Sequence, residues 1–261
     1  MNNLWRRRVR SGRGALPEVE ISEQDGIRSL HLGSATVQSA MKLDDPSELM
    51  LSYSRSMMAW LLFCQQPKRV LQIGLGGGSI PRFLCHHYPN LYSDVVEINP
   101  QVVAVARSLF AVPENNAQLT VHVEDGVEFV QRYTNEYDAI LVDAFDGFGF
   151  AAEILTEPFF HDCKQALGEN GLFVINLWGG HRDYLQQLAL LRRVFDDRVL
   201  TLEAETYGNI AAFAFTASAT WSRTLLEKKA GKIAERTGLE MPQFLKLIAE
   251  SNHKTGSLIK I

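Results

Sequence analysis

A strand-like run, Arg69 to Ile73, passes into Gly74-Leu-Gly-Gly-Gly78, four glycines within five residues, and then into an apolar stretch, Ile80 to Tyr88, that can start a helix. Glycine has no Cβ and tolerates φ > 0, so such a turn lets backbone approach a ligand closely. Gly74, Gly76, Gly77 and Gly78 are therefore candidate ligand-binding residues. Their place between strand and helix gives the pattern more weight than glycines carry alone. The plain alternative is a tight strand–helix turn without a ligand.

Acids recur at the ends of the strands that follow. Glu97 ends the next strand, at the spacing of about 20 residues at which an acid accepts hydrogen bonds from ribose hydroxyls. Asp125-Gly126 follows the third strand, and a carboxylate there can accept an adenine amine; the plain alternative is an Asp-Gly turn. Asp143 and Asp146 follow the fourth strand three residues apart, where paired carboxylates can bind a cationic amine, orient it and take up its proton. The plain alternative makes Asp143 a helix cap and Asp146 a surface residue. The seven histidines form no metal signature; His86 and His87 are adjacent and point apart on a helix. No Gly-x-Ser-x-Gly elbow is present, and no Lys-Ser/Thr follows the glycines as in a Walker loop.

The elements that must hold these residues alternate. Strands are expected at Arg69–Ile73, Asp94–Ile98, Leu119–Val123, Ala139–Asp143 and Leu172–Leu177. Helices are expected at Ile80–Tyr88, Pro100–Leu109, Val127–Tyr133, Glu157–Leu167 and Tyr184–Phe195. Near-continuous apolar strands between helices indicate a parallel sheet covered on both faces. Val199–Glu203 and Ala211–Thr216, with Tyr207-Gly-Asn209 between them, close the sheet as an antiparallel hairpin. Ahead of the alternation, Val19 and Ile21, then Ile27, Leu30 and Leu32, then Ala35 and Val37 read as short strands. Gln24-Asp25-Gly26 is the first hairpin turn, and Ser47 is the expected cap of a helix carrying Leu49 to Leu62. The tail, with Leu225, Leu226, Ile233, Phe244, Leu245 and Ile248, is spaced for amphipathic helices and serves packing or an oligomer surface.

The expected division is a basic disordered arm over 1–15, a small N-terminal β domain over 16–46, a Rossmann-like α/β core over 47–218 and a helical extension over 219–261. A net charge of −4 argues against a nucleic-acid binder. No apolar run reaches membrane-spanning length. The arm's arginines are followed by no apolar stretch of the signal-peptide kind. Three cysteines without a C-x-x-C pair read as reduced core thiols of a cytoplasmic protein.

Residues 70 to about 178 resemble the spermidine/spermine synthases, the polyamine aminopropyltransferases, whose sheet is of the S-adenosylmethionine-dependent methyltransferase type. The likeness rests on Ile73-Gly-Leu-Gly-Gly-Gly-Ser79, Val96-Glu-Ile-Asn99, Glu124-Asp-Gly126, Tyr137-Asp-Ala-Ile-Leu-Val-Asp143 and Leu155-Thr-Glu-Pro-Phe-Phe160, in that order. The leading hairpins resemble that family's small β domain and extend the likeness over Glu18 to Thr216. It implies attack of an amine on the aminopropyl carbon of decarboxylated S-adenosylmethionine, no metal, a small-molecule amine partner and a homodimer. By position, Glu97 would hold the ribose, Asp125 the adenine amine and Asp143 the acceptor amine, and Gln38 would match a family glutamine near the hairpins. The chain departs from the pattern at Gly77, where the family has an acid that meets the aminopropyl group. It departs again at Ala144-Phe-Asp-Gly147 and in the block around Glu48 and Tyr53. Desolvating a diamine without acids is costly, and S-adenosylmethionine with its carboxylate would meet no repulsion at Gly77. Transfer to a non-standard amine, an S-adenosylmethionine-dependent methyltransferase and a non-catalytic binding protein are the three readings that follow.

Overall fold

A computed structural model describes residues 18–64, 66–144, 154–206, 208–254 and 256–261, with the backbone of 7–9. In chain order the strands and helices are β1 Arg7–Val9, β2 Val19–Gln24, β3 Ile27–Leu32, β4 Val37–Lys42, α1 Ser52–Met57, β5 Arg69–Ile73, α2 Ser79–His87, β6 Tyr92–Glu97 and α3 Pro100–Leu109. Then come β7 Leu119–Val123, α4 Gly126–Val130, β8 Tyr137–Val142, α5 Glu157–Ala166, β9 Leu167–Trp178, α6 Tyr184–Val194, β10 Val199–Glu203 and β11 Asn209–Phe215. The chain ends with β12 Thr220–Ser222, α7 Arg223–Thr237, α8 Met241–Ser251 and β13 Leu258–Lys260.

The fold is α/β, with a small N-terminal β sheet ordered β1-β2-β3-β4 and a seven-stranded sheet ordered β10-β11-β9-β8-β5-β6-β7. β6 runs parallel to β7 and β8 to β9, while β11 is antiparallel to both β9 and β10, the hairpin the sequence implies. The runs from Ala139 to Val142 and from Leu172 to Ile175 are almost wholly buried, as strands covered on two faces must be. The chain forms two compact units. One comprises Met1–Leu51, Leu71–Phe129 and Asp143–Ile154, the other Ser52–Val70, Val130–Val142 and Leu155–Ile261.

In the first unit, Asp25 and Gly26 have φ of 51° and 76°, and Gln24 pairs with Ile27, so the predicted turn is a two-residue loop with both central residues left-handed. The third strand is displaced from expectation: Ala35 lies in the turn and β4 begins at Val37, after a bulge between Leu30 and His31. Arg7–Val9 pairs antiparallel with Val19–Ile21, inside the stretch expected as an arm. Ser47 does not cap a helix. Its N–H and hydroxyl both donate to Asp45 Oδ1, at 3.1 and 2.7 Å, a local turn that competes with helical bonding. In the second unit α1 therefore starts only at Ser52 and passes into a 3₁₀ turn, Met58–Leu62.

The second unit also holds the tail. Leu226, Ile233, Phe244, Leu245 and Ile248 are buried, whereas Leu225, expected on the same face, is 65% exposed. Gly238, at φ 73°, ends α7 as a left-handed cap. Asn252 then docks the tail on the edge of β10: its Nδ2 donates to Thr201 O at 2.8 Å and its Oδ1 accepts from Thr201 N at 2.9 Å. The side-chain amide completes an open strand edge. Asn252→Ala is expected to cost about 1–3 kcal/mol, which a thermal melt would read as a fall of roughly 2–4 °C for each kcal/mol. All three cysteines are free; Cys163 is buried in the core, while Cys64 and Cys85 are half-buried rather than core thiols. Among the described residues no helix is long and apolar enough to cross a membrane.

Candidate functional site

Three strand ends converge on the segment Ile73–Leu75, all within the first unit. Gly74 N donates to Val96 O at 2.8 Å, and Asp143 N donates to Ile73 O at 2.9 Å. Gly74 has φ 92°, and a Cβ there would lie 2.2 Å from the carbonyl oxygen of Asp143. The first glycine of the loop is thus required by the close passage of Asp143. Gln72, buried, holds the Gly74 carbonyl through Nε2 at 2.7 Å. Gly76 and Gly78 have φ of 53° and 72°, and Gly78 caps α2 while its N–H returns to Leu75 O at 2.9 Å. Gly74→Ala would combine left-handed strain of about 1–2 kcal/mol with overpacking of about 1–3 kcal/mol. A drop in denaturation midpoint together with loss of ligand affinity is the expected outcome.

Glu97 is buried at the end of β6. Its Oε2 accepts from Leu75 N and its Oε1 from Asn99 N, each at 2.9 Å. Burial pushes its carboxyl above the ordinary value, while N–H donors of Leu75, Asn99, Gly76 and Ile98 pull it back. The carboxylate therefore clamps the glycine loop to the end of β6.

Asp125 follows β7, where Glu124 N donates to Glu97 O at 3.2 Å. Its Oδ1 accepts from Val127 N at 2.8 Å and caps α4, so the turn alternative describes one of its two oxygens. Gly126 is tied to the loop by packing, since a Cβ there would lie 2.5 Å from Ile73 Cγ2. Ile98 and Val123, at the ends of β6 and β7, are 54% and 50% exposed and give this edge an apolar wall.

Gln38 is half-buried on β4. Beside it, Ser39 Oγ lies 2.9 Å from Ser79 Oγ. A Cβ on Gly77 would fall 2.7 Å from Ser39 Oγ and 3.0 Å from a ring carbon of Phe110. A serine hydroxyl and a phenyl edge thus border the space that a side chain at 77 would take. Sequence reading gave no role to Ser39, Ser79 or Gln72, although Ser79 closes the glycine motif and Ser39 adjoins Gln38. Gly77→Asp alone is expected to lower stability by about 1–3 kcal/mol, and Ser39→Gly in the same chain should recover most of that in a denaturant titration. Asp143 stands at the loop as described; Asp146 lies outside the described residues. Among the described residues no group of three or more His, Cys, Asp or Glu could hold a metal ion.

The spermine/spermidine synthase domain matches residues 50–199. The polyamine aminopropyltransferase of Chromobacterium violaceum is 46% identical over 258 residues, covering 98% of this chain and 99% of that protein. The chain belongs to the spermine/spermidine synthase family. It is, with that family, a transferase. The polyamine aminopropyltransferase of Neisseria meningitidis serogroup A is 45% identical over 96% of each chain. In fold, this spermine/spermidine synthase family member is similar to a spermidine synthase solved with the transition-state analogue AdoDATO, with a TM-score of 0.69 at 20% identity over 95% of this chain and 87% of the other.

Proposed function

We propose that the chain transfers the aminopropyl group of decarboxylated S-adenosylmethionine to an amine. The observation that carries this is the convergence of Glu97, Gly126 and Asp143 on Ile73–Leu75, in a chain that shares 46% identity with a polyamine aminopropyltransferase. In this reading Glu97 accepts the ribose hydroxyls alongside the N–H groups of Leu75 and Asn99. Asp125 receives the adenine amine on Oδ2, and Ile98 and Val123 flank the base. Gly74, Gly76, Gly77 and Gly78 let the adenosyl sulfonium lie against backbone. Gln38 borders the aminopropyl arm.

The acceptor must reach the site as a neutral amine. Its nitrogen lone pair attacks the methylene carbon next to the sulfonium, a C–N bond forms, the C–S bond breaks and methylthioadenosine departs with the electron pair. The proton lost by the new ammonium goes to Asp143 or, through it, to solvent, with Asp146 as the second carboxylate of the pair. Positioning in line supplies most of the acceleration in such a displacement. With Ser39 and Phe110 bordering the space at Gly77, the aminopropyl ammonium meets hydroxyls instead of an acid, and the acceptor departs from the family's usual amine. A homodimer in the cytoplasm completes the reading, supported by the family resemblance; light scattering of the purified chain tests the dimer.

The deciding experiment supplies decarboxylated S-adenosylmethionine with a panel of mono-, di- and triamines and measures methylthioadenosine. Release that depends on one of the amines is expected, and no release with any of them overturns the proposal. S-adenosylmethionine is the control donor, and S-adenosylhomocysteine formed from it would replace the reading by methyl transfer. Donor at about 100 times its Kd should raise the unfolding free energy by roughly 2.7 kcal/mol.

A further inference from the structure

Arg82 lies in α2 beneath the glycine loop, 5% exposed, and the proposed chemistry makes no use of it. Its guanidinium joins three segments of the first unit. Nη1 donates to the carbonyls of Gly77 and, at 2.8 Å, of Phe110, and Nε donates to Pro46 O at 2.7 Å. Among the described residues Nη2 is buried without a partner. All of Arg82's hydrogen bonds among the described residues go to carbonyls, none to a carboxylate. A buried cation without an acid is expensive, and an apolar side chain of similar volume would fill the place at lower cost. What an apolar side chain could not do is fix the direction of three carbonyls.

One of those carbonyls belongs to the loop. Gly76 and Gly78 both hold positive φ on either side of Gly77, and glycine visits the mirror conformations almost as readily. Leu75 is held by Glu97 and by Gly78, whereas the Gly77 carbonyl is held by Arg82. Reversal of the Gly77–Gly78 peptide would break that bond and turn a carbonyl where the loop now presents its other face.

We propose that Arg82 is a positioning residue of the donor site: its guanidinium fixes the Gly77–Gly78 peptide and so holds the glycine loop in the conformation that receives the adenosyl group. The inference rests on the reading that this loop binds an S-adenosyl donor.

A cavity of about 390 Å³, lined by Arg82 with Asp44, Ser47, His86 and Pro113, adjoins the side chain and offers a route for chemical rescue. The experiment measures calorimetric binding of methylthioadenosine to the full chain as wild type, Arg82→Ala and Arg82→Lys, each with and without ethylguanidinium or ethylammonium. Arg82→Ala is expected to weaken binding roughly 10- to 100-fold. Ethylguanidinium should restore most of the loss and ethylammonium none. Arg82→Lys should stay weak, because an ammonium cannot serve three carbonyls with the geometry of the planar fork. In steady state the KM for donor should rise while that for the amine holds. Unchanged binding in Arg82→Ala, wild-type affinity in Arg82→Lys, or equal rescue by both ions overturns the inference. So does failure of both variants to fold with guanidinium present, which would make the residue structural. Wild-type binding of methylthioadenosine without amine-dependent turnover would instead overturn aminopropyl transfer and leave Arg82 standing.

Discussion

Asp143→Asn is expected to lower kcat by about 10²- to 10⁴-fold while methylthioadenosine affinity changes by less than about threefold. The separation follows from how Asp143 is built in. Its backbone contributes to the loop: its N–H donates to Ile73 O, and its carbonyl lies where only a glycine at 74 can pass. Asparagine keeps that backbone and nearly the same volume. It cannot accept a proton from the amine, nor offer a charge that steadies the ammonium formed as the C–N bond closes. A kcat within about threefold of wild type would remove Asp143 from the proton pathway. A parallel loss of methylthioadenosine binding would assign it to the donor loop instead.

Glu97→Gln is expected to have the opposite signature, with methylthioadenosine binding weakened roughly 100-fold, the scale of one or two hydrogen bonds to a charged group. Both oxygens of Glu97 face N–H donors, at Leu75 and Asn99. An amide must turn its NH₂ toward one of them, so the substitution loses ligand bonds and loosens the loop together. The pH dependence separates this from a merely structural effect. Burial raises the Glu97 carboxyl above its ordinary value of 4.5. For an acid raised on folding, the associated stability is fully present below the unfolded value and is lost as pH rises through the folded one. Ionised Glu97 is therefore a cost to the free protein at neutral pH, which a ligand donating hydroxyls to the carboxylate offsets. The ligand-induced rise in Tm should shrink as pH falls toward 4.5 through the folded value, and Glu97→Gln should abolish that slope. A slope that survives in the variant would place the titrating group elsewhere.

The parts of this fold legible in the chain are those whose causes are local. Arg69–Ile73, Pro100–Leu109, Leu119–Val123 and Val199–Glu203 fall where apolar periodicity and turn residues put them. The Asp25-Gly26 turn is set by two residues that tolerate positive φ. Glu97 and Asp143 could be singled out because ligands of such sheets gather at strand ends, which an alternating pattern locates. Ser47 misled because a helix cap and an Asp-anchored turn ask for the same residue types, and Asp45 two positions earlier decided between them.

By itself, then, the amino-acid order determined the alternating α/β pattern, the glycine loop and the row of acids that follows it, since each depends on neighbours within a turn or a strand. Tertiary structure alone decided what those residues touch. Gly74 is needed because Asp143 passes it, Gly126 because Ile73 does, and Gly77 because Ser39 and Phe110 border its side-chain space. Arg82, which reads along the chain as an ordinary polar residue of a helix, acquires its place from carbonyls at Pro46, Gly77 and Phe110. These contacts join segments far apart in the chain, and close packing, with its tolerance of a few tenths of an ångström, leaves no periodic mark by which a single sequence could announce them.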